Sequence, residues 1–420
     1  MHPSTDITSE RSSLLEGRRI ILAMCGSVAV MRALEVARLL MRHGATIVPV
    51  MSNEACELIG PRLVWWATGT EPVVTLGGAT EHIAFAGRGP NRADLLLVCP
   101  ATANTIGKIA AGIDDTSVTT FATTAIGSDM PTIVAPAMHE PMYAHPSVVR
   151  NIQSLIDMNV DVVRPRREED KAKLAEPEYI LDMVARRLHG RTPLAGKHVV
   201  VTAGRTVEYI DPIRVISNNS SGKMGVAMAR SAFRAGADVT LIYGKGTVAP
   251  PDCARTIRVD TATQMHEAVI MELDGVRTGR PTDILVAAAA VGDWQMPEAS
   301  DSKISTHDRE HLELTLVPTP KIIDDAKRRR PEIVLFAFRA LHDLGEDELL
   351  DDARRRLTKA GADLIAVNDT SDPAVGFESD RNALTLLTRT GEKTPIPIMA
   401  KEQIAEQLIA ELARFVAEPD

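Results

Sequence analysis

The chain alternates short apolar runs with stretches of helical periodicity, and most of the apolar runs end in small or polar residues. RRIILAMCGS (18–27) is followed by VAVMRALEVARLLMRHG, whose apolar positions recur at helical spacing up to Gly44, a pattern of strand, turn, helix and glycine cap. ATIVPVMS is β-rich again, so residues 18–52 are expected to form a right-handed βαβ unit. ADLLLVCPATANT and MPTIVAPAM supply two further buried strands. Such runs suit a parallel sheet covered by helices.

The pattern stops at RRLHGRTPLAG and starts again with KHVVVTAG, the helix candidate GKMGVAMARSAFRAG and the strand ADVTLIYG. TDILVAAAAVGDW, EIVLFAF and ADLIAVND continue it as short apolar runs with helices between them. The expected architecture is α/β, with two doubly wound Rossmann-like domains over residues 15–190 and 194–418, each binding ligands at the carboxyl ends of its strands. A chain of 420 residues, 45% hydrophobic, is long enough for two full cores. The similar openings reflect shared βαβ logic and no sequence repeat.

Composition narrows the function. Lys and Arg number 47 against 56 Asp and Glu, a formal charge of -9, so no basic field draws in nucleic acid or an anionic membrane. Phosphate-bearing ligands must then be held by local cations. The four cysteines, Cys25, Cys56, Cys99 and Cys253, form no CxxC pair, which points to a reducing compartment and away from a zinc cluster. The first twenty residues are polar, and no apolar run approaches the roughly 18 residues of a spanning helix. A cytoplasmic protein is expected.

Two segments of the first half suit a phosphate-bearing cofactor. Gly26-Ser27, between a strand and a helix, lets backbone amides and a positive helix end approach a phosphate; the alternative is a plain connecting turn. Pro100-Ala-Thr-Ala-Asn-Thr105 places small residues and hydroxyl and amide donors at a strand end, or else a polar helix cap. There is no GxGxxG, so a dinucleotide is disfavoured.

GSVAV, EHIAFA, PATANT and PAMHEPMY, in that order over residues 18–180, resemble the flavin-dependent cysteine decarboxylases, which include the phosphopantothenoylcysteine decarboxylases. The resemblance implies that Gly26, Ser27, Ser52, Thr102, Ala103, Asn104 and Thr105 bind FMN and that His82 is an active-site histidine. The resemblance further implies that bound FMN would oxidise the cysteinyl part to a thioaldehyde that loses CO2 easily and would then reduce the resulting enethiolate, so that the cofactor would carry the hard chemistry. Two departures stand out. His139 replaces the family's Asn after PAM, and the flap RPRREEDKAKLAEPEYI has no cysteine to protonate the enethiolate. His139 as an imidazolium could take the substrate carboxylate, and Lys171 and Lys173 could attract the same anion or the substrate phosphate. Without the cysteine, either another acid such as Lys171, Lys173 or Glu168 serves, or the last step is altered, or this half no longer turns over; the alternative for KAK is a solvated run. PAMHEPMY and GIDDTSVTT resemble the archaeal branch of the family, which favours a substituted donor.

The second half carries TAGRTVEYIDPIRVISNNSSGKMG (202–225), in which turn-formers, one guanidinium and many small donors precede a helix, a setting for an anion. Met224 after Lys223 breaks the P-loop spacing. With AAAAVGDW, a following Lys-Ile, and AVND with F-x-S-D-x-N, the segment resembles the phosphopantothenate-cysteine ligases over about residues 197–392. The resemblance implies acyl transfer through an acyl-nucleotidylate, where a magnesium ion and a lysine offset charge on the α-phosphate. By that resemblance Lys303 is the phosphate cation, Asn218 holds the acyl intermediate, and Arg214 with Asn218 binds substrate. Asp293 and Phe336 frame the nucleotide, Ala288 and Ala289 make room for its base, and Arg356 and Lys359 approach its phosphates. Here too the chain departs, with Lys303-Ile-Ser in place of KIKK and LFAFRA in place of GFAAET, which puts Phe338 and Arg339 where small and acidic residues are usual. CTP is the expected nucleotide and ATP the alternative; no metal ligands are assigned.

The leading reading is a bifunctional enzyme of coenzyme A biosynthesis that uses 4'-phosphopantothenate, cysteine and a nucleotide, and the resemblance implies a homo-oligomer. The alternatives are a ligase whose flavoprotein half is a silent scaffold, and a flavin-binding regulator without turnover.

Overall fold

The structure, a computed structural model, describes every residue except 1, 169–170, 306, 308–310, 344, 370, 372–374, 377 and 418–420. Phe377, which opens the F-x-S-D-x-N motif, lies outside the described residues. The chain divides into two compact units, Met1–Leu188 and His189–Asp420. No helix among the described residues is long and apolar enough to cross a membrane.

The first unit runs β1 (Arg19–Met24), α1 (Val30–Arg42), β2 (Thr46–Met51), α2 (Asn53–Leu58), α3 (Pro61–Thr68), α4 (Glu81–Ala86), β3 (Leu95–Ala101), α5 (Ala103–Ala111), α6 (Ser117–Gly127), β4 (Thr132–Pro136), β5 (Met138–His139), α7 (Glu140–Tyr143), α8 (Pro146–Asp157), β6 (Asp161–Val162), β7 (Arg166–Glu168), β8 (Lys171–Lys173) and α9 (Pro177–His189). Five strands form a parallel sheet in the order β2-β1-β3-β4-β6. The central strands β3 and β4 are buried along their whole length, which is why both read as unbroken apolar runs. Phe121, Ile106, Leu155 and Ala86, from α6, α5, α8 and α4, meet Ile21, Val50, Leu96 and Val134 in a common core. The strand order reverses between β1 and β3, and in an open α/β sheet such a switch point, beyond the strands' carboxyl ends, is where a ligand crevice is expected.

A small antiparallel sheet, β5-β8-β7, follows β4. The alternation of its few residues is too short to predict a strand, and the sequence reading treats the segment as a flap.

The second unit runs β9 (His198–Ala203), β10 (Val207–Tyr209), β11 (Val215–Ser217), α10 (Lys223–Arg234), β12 (Asp238–Tyr243), β13 (Arg255–Arg258), α11 (Ala262–Leu273), β14 (Ile284–Ala287), β15 (Trp294–Gln295), β16 (Val317–Pro318), α12 (Ile322–Arg329), β17 (Val334–Leu341), α13 (Glu346–Ala360), β18 (Leu364–Asp369), β19 (Arg381–Thr388), β20 (Lys393–Ala400) and α14 (Lys401–Ala417). Its sheet has the order β13-β12-β9-β14-β17-β18-β19-β20. The first six strands are parallel, whereas β19 and β20 form an antiparallel hairpin at the edge, an addition that the parallel reading of the sequence omits. Helices α10 and α14 share one core cluster with the sheet, and α11, α12 and α13 share the other. Gly225 sets the α10 contact: a Cβ there would lie 2.4 Å from the Ala203 Cβ. Only glycine lets the first turn of α10 rest directly on the end of β9.

Candidate functional site

In the first unit, the residues after β1, β2 and β3 converge on the crevice. Ser27 N–H donates to the Cys25 carbonyl at 2.8 Å, and Ser52 N–H donates to the Met24 carbonyl at 3.0 Å. Gly26 packs against α2, where a Cβ would come within 2.4 Å of the Glu54 Cβ. The Ser52 hydroxyl caps α2, accepting from Ala55 N–H at 3.2 Å. Thr102 caps α5 by accepting from Thr105 N–H at 3.2 Å, and the two hydroxyls lie 3.1 Å apart. The hydroxyls of Ser52 and Thr102 therefore organise helix starts, and the first-turn amides of Ala103 and Asn104 are the donors left for an anion.

The Cys25 thiol is fully buried. Burial pushes its pKa up to about 11, against hydrogen bonding with the Thr105 side chain and the Thr102 backbone. It is a packing group and not a reactive thiolate. Donor amides, a close-packed glycine and a crevice at the switch point fit a flavin phosphate. Gly26→Val is expected to abolish flavin retention, checked by the flavin released per protein on denaturation; stoichiometric flavin would contradict this.

His82 is on α4, whose C-terminal end is tied to Ser128 and Ala93. Its Nδ1 is buried without a hydrogen-bond partner, so the ring has an unused polar atom. The flap stands on the same side as the crevice: Arg166 of β7 pairs with Glu176, which pairs at 2.8 Å with Arg32 in the first turn of α1. The Arg32 hydrogen bond is the main reason the Glu176 carboxyl sits below its usual range. Strand register aligns His139 with Lys171 and Lys171 with Glu168. These three residues, with Lys173, therefore share one face of the flap. Lys173 lies 3.3 Å from Glu168.

In the second unit, a cleft of about 320 Å3 lies over the ends of β9, β14, β17 and β18, lined by Asn218, Ser220–Gly225, Ala287–Asp293, Thr319–Ile323, Ala337–Ala340, Arg356, Asn368, Asn382 and Lys401, among others. Asn218 Nδ2 donates to the carbonyls of Ala290 at 3.3 Å and Val291 at 3.1 Å, binding the β11 end to the β14 end. Asp293 pairs with Lys321 at 2.6 Å, and Arg356 with Asp324 at 3.1 Å. An adjoining groove gathers the five cations Lys321, Arg339, Arg355, Arg356 and Lys359 around Asp293 and Asp352, a field suited to a polyphosphate.

The β10–β11 hairpin is held from beneath by Asp211. This carboxylate is wholly buried and accepts from the amides of Ile213, Arg214 and Ile304 at 2.8–3.1 Å and from the Arg214 guanidinium at 2.7 Å. Burial alone would raise its pKa, but those donors outweigh it and hold the pKa at about 2.

The structure brings Asn218, Ala288, Ala289, Asp293 and Arg356 together in the cleft and puts Lys359 in the adjoining groove. Two expectations are corrected, those for Phe336 and Arg214. Phe336 is fully buried in the core; Phe338, stacked on it at 5.2 Å, lines the cleft instead. Arg214 is engaged by Asp211 and the Ile304 carbonyl and supports the hairpin, outside the cleft lining. Lys303, beside that anchored Ile304, is exposed and also outside the lining. Sequence reasoning missed Lys321 and Lys401. Lys321 follows Pro320 at a helix start and was detectable as a cation at a helix N-terminus; Lys401 resembles any solvated lysine. Among the described residues, no group of three or more His, Cys, Asp or Glu side chains is placed to hold a metal.

Residues 8–189 match the Flavoprotein family and residues 194–416 the DNA/pantothenate metabolism flavoprotein C-terminal domain family. The chain is 44% identical over 416 residues to the coenzyme A biosynthesis bifunctional protein CoaBC of Thermococcus kodakarensis, covering 99% of this chain and 100% of that one. It is 34% identical to the Bacillus subtilis protein of the same name, covering 95% and 98%. A crystal structure of a CoaBC C-terminal domain aligns with 54% of this chain and 98% of its own at 28% identity, with a TM-score of 0.44.

Proposed function

This chain belongs to the family of bifunctional coenzyme A biosynthesis proteins, and from that premise we propose how its residues divide the work. The protein joins phosphopantothenate to cysteine and decarboxylates the product with a flavin. In our reading the second-unit cleft is the ligase site and CTP the nucleotide, with ATP the alternative. The observation that carries this reading is the cleft itself: a small-residue floor at Ala288 and Ala289, an amide at Asn218, and a bank of cations beside Asp293.

The pantothenate carboxylate attacks the α-phosphorus, forming a mixed anhydride and expelling pyrophosphate. The cysteine amine then attacks the acyl carbon, forming the amide and releasing the nucleoside monophosphate. Lys321, Arg339, Arg356 and Lys359 offset the phosphate charge, and magnesium accompanies the nucleotide. Asn218, a neutral amide, orients the anhydride without attacking it. Lys303, on the loop anchored through Ile304, is the further cation assigned to the nucleotide's α-phosphate.

Bound in the β1/β3 crevice, FMN supplies the electron sink for loss of CO2. Gly26, Ser27 and the amides of Ala103 and Asn104 hold its phosphate, with Ser52, Thr102 and Thr105 shaping the crevice, and His82 serves as the active-site histidine. His139 meets the substrate carboxylate, Lys173 is held by Glu168, and Lys171 is the proton donor. A positioned acid contributes about 10²- to 10⁴-fold. Lys171→Gln is therefore expected to slow CO2 release by about that factor while pyrophosphate release is unchanged; equal CO2 release would remove Lys171 from the role. The absence of a flap cysteine keeps a second reading in view, a ligase with a silent flavoprotein half. The protein acts as a cytoplasmic homo-oligomer.

Parallel assays of pyrophosphate release with CTP and ATP, each requiring phosphopantothenate, test the ligase reading. CTP at least tenfold ahead in kcat/KM is expected; ATP ahead would overturn the nucleotide choice, and no release with either would overturn the site.

A further inference from the structure

The tip of the β10–β11 hairpin holds a buried carboxylate that has no part in the ligase chemistry above. Asp211 is fully buried, while the next two residues of the same turn, Pro212 and Ile213, face solvent. A buried carboxylate is costly unless donors surround it, and the two oxygens of Asp211 meet different sets of donors. Oδ1 serves the turn itself, accepting from the amides of Ile213 at 2.9 Å and Arg214 at 2.8 Å, as Asp does in many turns. Oδ2 accepts from the Arg214 guanidinium at 2.7 Å and from the Ile304 amide at 3.1 Å, which lies 93 residues later in the chain.

The segment around Ile304 is fixed to the hairpin at two further points. Ser300 N–H donates to the Ile210 carbonyl at 3.0 Å, and the Arg214 guanidinium donates to the Ile304 carbonyl at 2.9 Å. Between them the Ser300 hydroxyl donates to the Ser302 carbonyl at 2.8 Å. Lys303 sits inside this bracket and is exposed. A lysine's four-carbon stem holds no geometry of its own, so the point from which its charge acts is set by its backbone. The root of the same hairpin leads into Asn218, tied to the Ala290 and Val291 carbonyls. One short ribbon therefore holds at its root the amide assigned to the acyl intermediate, and at its tip the segment with the cation assigned to the α-phosphate.

We propose that Asp211 is a positioning residue of the ligase: its Oδ2 fixes the Lys303 segment on the hairpin tip, so that the phosphate cation and the acyl-holding amide keep one register. This role rests on the ligase reading of Lys303 and Asn218 and adds what holds the two in place. Asp211 touches no substrate and acts through Lys303. A side chain kept only for the turn needs no acceptor on the Ile304 side, and Asn, which makes the same turn, would serve there without loss.

Asp211→Asn separates the two roles. The amide oxygen keeps the turn's hydrogen bonds, while the NH2 group turns a donor toward the Ile304 amide and the Arg214 guanidinium. Pyrophosphate release by full-length protein with phosphopantothenate and nucleotide is compared for wild type, Asp211→Asn, Lys303→Gln and the double variant, with thermal unfolding recorded for each. Lys303→Gln is expected to lower kcat about 10²- to 10³-fold, the cost of one preorganised charge. Asp211→Asn is expected to lower it about 10- to 100-fold, up to what a misplaced group costs. The double variant is expected within about threefold of Lys303→Gln alone, because a residue that acts through Lys303 then has nothing to act on. Losses that multiply in the double variant, or wild-type kcat in Asp211→Asn, overturn the proposal and leave Lys303 in its role. Should Asp211→Asn fail to fold, Ile304→Pro takes its place: it deletes the loop's N–H and leaves the hairpin's own bonds, and the same pattern is expected. Wild-type kcat in Lys303→Gln overturns the assignment of Lys303 and the proposal with it; no pyrophosphate from wild-type protein overturns the ligase reading as a whole.

Discussion

Asn218→Ala is expected to slow pyrophosphate release by about 10²- to 10³-fold, the usual cost of removing one preorganised donor from a site where charge develops. The amide ties the β10–β11 hairpin to the carbonyls of Ala290 and Val291, so in the proposed mechanism it fixes the distance between the hairpin assigned to the acyl group and the strand end assigned to the nucleotide. Alanine removes both hydrogen bonds and leaves the wall of the cleft unanchored. Because Asn218 is itself exposed, the substitution should leave the melting temperature close to wild type. A single-turnover assay with phosphopantothenate and nucleotide checks this. A rate within threefold of wild type in a folded variant would take Asn218 out of the mechanism.

Asp363→Ala is expected to have the largest effect on stability. The carboxylate is 3% exposed and accepts from Lys327 at 2.9 Å, Arg389 at 3.0 Å and the Leu335 amide at 2.8 Å. One side chain thus joins α12, β17 and the turn of the β19–β20 hairpin. Removing it strands the Lys327 ammonium, which is itself largely buried; breaking a buried pair from one side costs about 3–5 kcal/mol. Helix α12 starts just after Lys321, so ligation should fall as the helix loosens. Urea unfolding of the second unit measures it, and a loss under about 1 kcal/mol would mean that the pair behaves as a surface contact.

What could be read in the sequence was set by burial. β1, β3, β9 and β14 are strands of parallel sheets covered on both faces, so their apolar runs stand out, and the residues after them fall at the crevice and the cleft by topology alone. The same full burial hides how far along a strand the cleft begins: Phe336 and Phe338 share one face of β17 and stack on each other, and only the packing reveals that Phe338, nearer the carboxyl end, lines the cleft. Arg214 looks like a ligand-binding guanidinium because Asp211, three residues before it, looks like a turn former; their pairing with the loop at Ile304 depends on contacts about 90 residues apart. Lys401 is invisible in the sequence because α10, far earlier in the chain, packs on α14. The β19–β20 hairpin was missed because the reading ended at the last parallel strand, although RNALTLLT and the Gly391 turn carry a hairpin signal.

The most direct measurement is product analysis by mass spectrometry after full-length protein is incubated with phosphopantothenate, cysteine, magnesium and CTP or ATP. Accumulation of 4'-phosphopantetheine is predicted, with both halves turning over and an acid other than cysteine protonating the enethiolate. Arrest at phosphopantothenoylcysteine with flavin bound would contradict an active decarboxylase half, and no new product with either nucleotide would contradict the ligase as well.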